Sequence, residues 1–320
     1  LKIGKEEVKQ TIFSYPEFIS FSKKADAVFE TWKKKNIPVL KNISIGAKPK
    51  KLIHELSEDL LQTFSKLHLV DKYDVYQHLM DYWSETMQDD AYVIAGEGWK
   101  TGAEVYRIVK QTKDKTGTVK KKEIEGMEGI ESKLIKPQLI INKYFATEKE
   151  AIEKLETERD AITQQVDELT EEHGGEDGLF SALDKIIKKA AEQRLKEISG
   201  NKEDADERNL LLEYLDLVKK EAELGKQIKD VQKELEKKVW AQYKALKEEQ
   251  IKTLVVDDKW IATIDAAIKT EMQRISQQLT QRIKELAERY QTPMPVLLDE
   301  VDELEEKVNI HLNKMGFVWN

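Results

Sequence analysis

Between positions 204 and 246 an apolar residue returns every three or four places with no proline to interrupt it. Leu210, Tyr214, Leu217, Leu224, Ile228, Val231 and Leu235 fall on one seam, flanked by glutamates and lysines. That period belongs to an α-helix with one narrow apolar stripe. Continuous from Asp204 to Leu246, such a helix would be on the order of 60 Å long. It cannot bury its own stripe, so it needs a second helix. A second stripe is present: Ile152, Leu155, Ile162, Val166 and Leu169, with Arg159 as a polar interruption. Thr147-Glu148-Lys149-Glu150 reads as a capping box at its start. Two stripes in one chain joined by a connector predict an antiparallel coiled-coil hairpin. The connector then forms a knob at the tip, where Gly174, Gly175 and Gly178 break the first helix. A shorter helix should hold Leu183, Ile186, Ile187, Leu195 and Ile198 and stop at Gly200.

Composition agrees with a helical chain. Charged residues make up 36% and hydrophobic residues 40% of 320 positions, with 14 Gly and 6 Pro. This disfavours a turn-rich β-fold. The absence of cysteine rules out disulfide staples and thiolate zinc sites and fits a reducing, cytoplasmic compartment. No apolar run reaches the roughly 20 residues that span a bilayer, which predicts no membrane association. Leu1-Lys2-Ile3-Gly4 is not a signal peptide and lacks an initiator Met, as expected of a piece of something longer. The formal net charge of -8 gives no support to nucleic-acid binding as a whole-chain property, although a local basic patch can still provide it.

The expected fold class is mostly α: a helical globule over 1–90, a small β-hairpin region over 91–145, and a coiled-coil helical region over 146–320. In the first zone Pro16 opens a helix carrying Phe18, Phe21, Ala25, Val28, Phe29 and Trp32. Pro38 and Pro49 bound a loop, and Leu52, Ile53, Leu56, Leu60, Leu61 and Phe64 form the next stripe. Asp71 suits an N-cap before Val75, Leu79, Tyr82, Trp83 and Met87. In the second zone Ala91-Tyr92-Val93-Ile94 and Val105–Val109 read as strands punctuated by glycines. In the third, the chain restarts at Asp257-Asp258 after Leu254-Val255-Val256. A long helix through Ile261, Ile264, Ile268, Ile275, Leu279, Ile283 and Leu286 ends at Thr292-Pro293. A last seam, Leu297, Val301, Leu304, Val308 and Leu312, is capped by Gly316, and Phe317-Val318-Trp319 should be tucked against something.

Chemistry is sparse. His54-Glu55-Leu56-Ser57-Glu58 begins like a zincin motif but has Glu where the second His must stand. Asp74, His78, Asp81 and Glu85 line one helix face. They could hold a hard cation in a metal-dependent enzyme or simply form a salt-bridged surface. Glu171-Glu172-His173 reads as a charged helix end. Gly96-Glu97-Gly98 follows an apolar run, yet Trp99-Lys100-Thr101-Gly102 fits neither the dinucleotide nor the P-loop pattern, so a hairpin turn is expected. No Gly-x-Ser-x-Gly elbow, cysteine nucleophile or Asn-Pro-Pro-aromatic string occurs. Candidate catalytic, cofactor-binding and metal residues are therefore none. The one patch of nucleic-acid character is the lysine-rich hairpin end: Lys110, Lys113, Lys115, Lys120, Lys121 and Lys122. Each could neutralise a DNA phosphate, or the patch could be a solvated turn.

Five strings in order carry a resemblance: Leu52–Leu61 (LIHELSEDLL), Asp71–Ala95 (DKYDVYQHLMDYWSETMQDDAYVIA), Glu171–Phe180 (EEHGGEDGLF), Ile251–Trp260 (IKTLVVDDKW) and Leu279–Pro293 (LTQRIKELAERYQTP). Together they resemble the C-terminal region of the larger class of modification (M) subunits of bacterial type I restriction-modification systems. The resemblance implies a parent protein that methylates adenine N6 in DNA using S-adenosylmethionine. It also implies assembly with a specificity (S) subunit, a second M subunit and the restriction subunits on DNA. The methyltransferase motifs of that family lie upstream of the matching region, so no catalytic or cofactor residue carries over. What the resemblance implies for this chain is a role: helices that pack on the S subunit and help position DNA, with a direct DNA-backbone clamp as the alternative.

Overall fold

The computed structural model describes residues 8–113, 119–175, 178–181, 183, 185–198, 204–290 and 294–317. The protein is mostly α, with two small antiparallel sheets of two strands each among the described residues. It divides into two compact units. One combines residues 1–95 with 260–320; the other is the continuous stretch 96–259. The coiled-coil zone expected over 146–320 is thus shared between both, and the expected hairpin zone 91–145 begins with a helix that crosses the division.

The first unit contains α1 (Val8–Ser14), α2 (Pro16–Lys41), α3 (Pro49–Phe64), α4 (Lys72–Tyr82), α11 (Ala262–Arg289), α12 (Met294–Lys314) and most of α5 (Gln88–Glu97). Pro16 opens α2 as expected, since a first-turn proline loses no helical hydrogen bond. Pro38 does not bound a loop: it lies inside α2, and the loop spans only 42–48. Leu40, fully buried, holds the last turn in helix despite the proline. The core forms where the stripes of α2 and α3 meet. Phe29 stacks on Trp32 with ring centroids 5.7 Å apart and lies 6.5 Å from Phe64. Asp71 is the N-cap of α4, accepting a hydrogen bond from the Tyr73 amide at 2.8 Å.

Helix runs on from α4 through a wide π-helical turn, Trp83–Met87, into α5. The buried residues explain the turn. Val75, Leu79, Trp83, Met87 and Ala91 recur every four places. At 3.6 residues per turn that spacing drifts around an ideal helix, and a wider turn returns the stripe to one face. The same stripe corrects the reading of Ala91–Ile94 as a strand. Ala91 and Ile94 are fully buried on α5, so core packing overrides local β preference.

The second unit holds a short 3-10 helix (Trp99–Ala103), the β insertion, α6 (Pro137–Tyr144), α7 (Ala146–His173), α8 (Lys188–Glu197), α9 (Ala205–Ala245) and α10 (Glu248–Lys252). α9 runs as the seam predicted. Its pairing with α7 is antiparallel: Glu148 meets Lys238, Glu156 meets Gln232 and Thr163 meets Glu221, so one number rises as the other falls. The capping box at Thr147 does not form. The Phe145 carbonyl already accepts from the Lys149 amide, which puts Thr147 inside the first turn, where its hydroxyl donates to Glu148 instead.

The connector does form a knob. Phe180, Ala191, Ile198, Leu211 and Tyr214 pack together, with Phe180 edge-on to Tyr214. The helix there is shorter than expected. Leu183, Ile186 and Ile187 precede α8, and the Tyr214 hydroxyl donates to the Ile186 carbonyl, holding that backbone out of helix. Gly200 lies outside the described residues.

Nor does the chain restart at Asp257-Asp258. Helix continues from α10 through a π-helical stretch, Thr253–Ile261, into α11. Leu254, Val255 and Val256 are completely buried, and Asp258 takes a hydrogen bond from Lys143 at 3.1 Å, so nothing there forces a break. Thr292-Pro293 is outside the described residues. The final seam lies on α12, but none of its residues is buried. Gly316 does cap α12. At φ +85° it lets the Phe317 amide reach the Leu312 carbonyl and its own amide reach Asn313, the paired bonds of a Schellman motif. Phe317, expected to be tucked away, is 60% exposed; Val318 and Trp319 are not among the described residues.

Candidate interaction surfaces

The lysine-rich hairpin is real and lies within the second unit. β2 (Val109–Lys113) pairs antiparallel with β3 (Val119–Glu123), and the register sets Lys110 directly opposite Lys122. Both are exposed, and among the described residues neither has an ion-pair partner. Like charges facing across a ladder repel. Gln111 faces Lys121, Thr112 faces Lys120 and Lys113 faces Val119. The side chains of Lys113, Lys120 and Lys121, and all of Lys115, lie outside the description.

The base of this hairpin is clamped by a residue the sequence reading did not single out. Arg107, on β1 (Tyr106–Arg107), donates to the Gly126 carbonyl at 2.9 Å and pairs with Glu236 of α9. Its guanidinium sits 5.3 Å from the centre of the Trp240 ring. β1 pairs with β4 (Ile130–Glu131), so the hairpin grows from a small two-stranded base fixed to the coiled coil. An open groove of about 940 Å³ runs beside it, floored by Ile124, Met127, Ile152 and Leu235 and rimmed by Lys233 and Glu153 among others. Its rim mixes both signs. An arginine inside an apolar β run was the one local hint of this anchor; Glu236 and Trp240, more than a hundred residues away, left none.

The glycine-rich run 96–102 is structural. Gly98 starts the 3-10 helix at φ +85°, so no hairpin turn forms there. A Cβ on Gly102 would lie 2.7 Å from Ile251, which shows how closely α10 is packed against it. Lys133 hydrogen-bonds Glu97, and Thr101 donates to it at 2.9 Å; together, Lys133 first, they keep that carboxyl below its usual range.

The four polar residues considered for a cation do not converge. Asp74 pairs with Arg274 at 3.0 Å, and Asp81 accepts from Gln77. His78 Nε2 stands 3.7 Å from Glu271, and Glu85 belongs to the π-helical turn. Among the described residues no group of three or more His, Cys, Asp or Glu is placed to hold a metal ion. Glu271, 5% exposed, is instead the centre of an ion-pair network. The Arg274 guanidinium, hydrogen-bonded to it, and the neighbouring His78 hold its carboxyl low. His54 is exposed on α3.

Among the described residues no helix is long and apolar enough to cross a membrane. Compared with known protein families, curated proteins and solved structures, the chain finds no match.

Proposed function

We propose that this chain is a non-catalytic assembly region of a type I M subunit, which docks the S subunit through its helices and helps position DNA. The observation that carries this reading is the α7–α9 hairpin: a long antiparallel pair, closed at its tip by a small core. A rigid helix pair offers ridges and grooves onto which another helical pair can pack. The five strings quoted above supply the identity of the expected partner, and S-adenosylmethionine belongs to the parent protein's upstream domain on this reading. The test is size-exclusion chromatography with light scattering on the chain mixed with its cognate S subunit. A complex that survives high salt is expected for apolar docking. No complex at any salt sinks the assignment of the S-subunit contact to these residues.

A second reading, a DNA-backbone clamp independent of the S subunit, is favoured by one observation: Lys110 and Lys122 face each other, with no ion-pair partner among the described residues. Phosphate would relieve their repulsion. Lys110→Gln with Lys122→Gln should then flatten the salt dependence of duplex binding by about 0.9 in log–log slope per lost phosphate contact. An unchanged slope removes the hairpin from DNA contact.

A further inference from the structure

α12 presents a full apolar seam to solvent. Val301 is 57% exposed, Leu304 59% and Val308 55%, and a helix of this length carries the row for about 31 Å. A continuous exposed apolar face of this kind marks an interaction site rather than a resting surface. Shortly before it in the chain, the end of α11 does the same. Leu279 is 42% exposed, Leu286 37% and Tyr290 65%, with half-buried Ile283 between them. They continue the stripe that Ile264 and Ile268 bury further up the same helix.

These two seams fit each other when run antiparallel. Setting Leu286 opposite Val301 places Ile283 opposite Leu304 and Leu279 opposite Val308, alternating the two core positions of an antiparallel coiled coil throughout. Charge agrees with this pairing. Between 294 and 314 six acidic residues stand against two lysines, whereas residues 276–290 carry Arg282, Lys284 and Arg289 against two glutamates. The register also brings Arg289 beside Glu300. Pairing α12 with another α12 would instead bring two acidic stretches together.

We infer that the α12 seam is covered by the exposed α11 seam of a second copy of this chain, in a reciprocal exchange that forms a dimer. In the structure α12 does not fold back onto its own α11, since none of its residues is buried. Exchange of an identical element between copies is a low-cost route to a dimer. The inference does not depend on the assignment to a restriction system.

The chain has no cysteine, so introduced thiols report unambiguously. Full chains carrying Leu286→Cys and full chains carrying Val301→Cys are mixed and oxidised. A disulfide-linked heterodimer, with the parent chain running at twice the monomer mass by light scattering, is the expected result. Leu304→Asp should return the mass to that of a monomer with unchanged helical circular dichroism, because that side chain is not part of the folded core. Two results overturn the inference: a parent chain that stays monomeric with no mixed disulfide, or an internal disulfide in the dilute double variant Leu286→Cys/Val301→Cys. The first leaves the seam to a different partner; the second means that α12 closes on its own α11.

Discussion

Asp90 and Trp260 join segments 170 positions apart through one buried hydrogen bond of 2.8 Å from the indole to the carboxylate. Removing the donor while keeping the ring isolates the cost. Trp260→Phe should destabilise the protein by roughly 1.5–3 kcal/mol, the worth of a hydrogen bond to a charged group, measured by urea unfolding. Glu271 gives a pH-dependent counterpart. Its carboxyl is held low by Arg274 and then His78, so the folded state binds its proton less readily than the unfolded one. Its contribution is therefore present above the unfolded carboxyl value of about 4.3 and is lost as pH falls through the folded value. Glu271→Gln should lower the melting temperature at pH 7, and the gap from the parent should close on acidification. A gap that does not change with pH means the network has no linked proton. Asp71 shows what a sequence does disclose at this scale. A cap needs only its own next two residues, so local pattern suffices. The Arg107–Glu236–Trp240 anchor needs the fold to bring its partners together, and no pattern in the chain records that.

The element scale repeats the lesson. α9 was legible to within a residue at each end because a long, uninterrupted 3–4 seam has no competing interpretation. Ala91–Ile94 was not, because a short apolar run has no period of its own and its helical state is set by the core that Ala91 and Ile94 enter. The two π-helical turns escaped for a related reason: they adjust a stripe that is nearly but not fully helical in period. α9 also carries one correctable flaw. A Cβ built on Gly225 meets nothing within 4 Å, so Gly225→Ala should gain about 1 kcal/mol from reduced backbone freedom alone, read as a raised denaturation midpoint. A loss on that substitution would mean the open space beside Arg159 and Ala222 is used by something that docks there.

At the scale of the molecule, the stretch 96–259 carries buried apolar residues of its own, among them Trp99, Leu134, Ile135, Val239, Tyr243 and Val255. Expressed alone, it should melt in a single cooperative transition with high helix content. A broad, non-cooperative melt would mean that it depends on the flanking unit. The Tyr243 hydroxyl, pushed up in pKa by burial, donates to the Ile135 carbonyl and ties α9 to the segment before α6 inside this stretch.

The first unit is assembled from two stretches, 1–95 and 260–320, separated by the second unit, and that ordering bears on synthesis. α4 and α5 leave the ribosome without Trp260 or α11, the surfaces that complete their packing. The inserted stretch is made next and can settle on its own contacts while they wait. The first unit therefore closes only once Trp260 and α11 have followed the inserted stretch, and until then α4 and α5 are the helices a chaperone would find exposed.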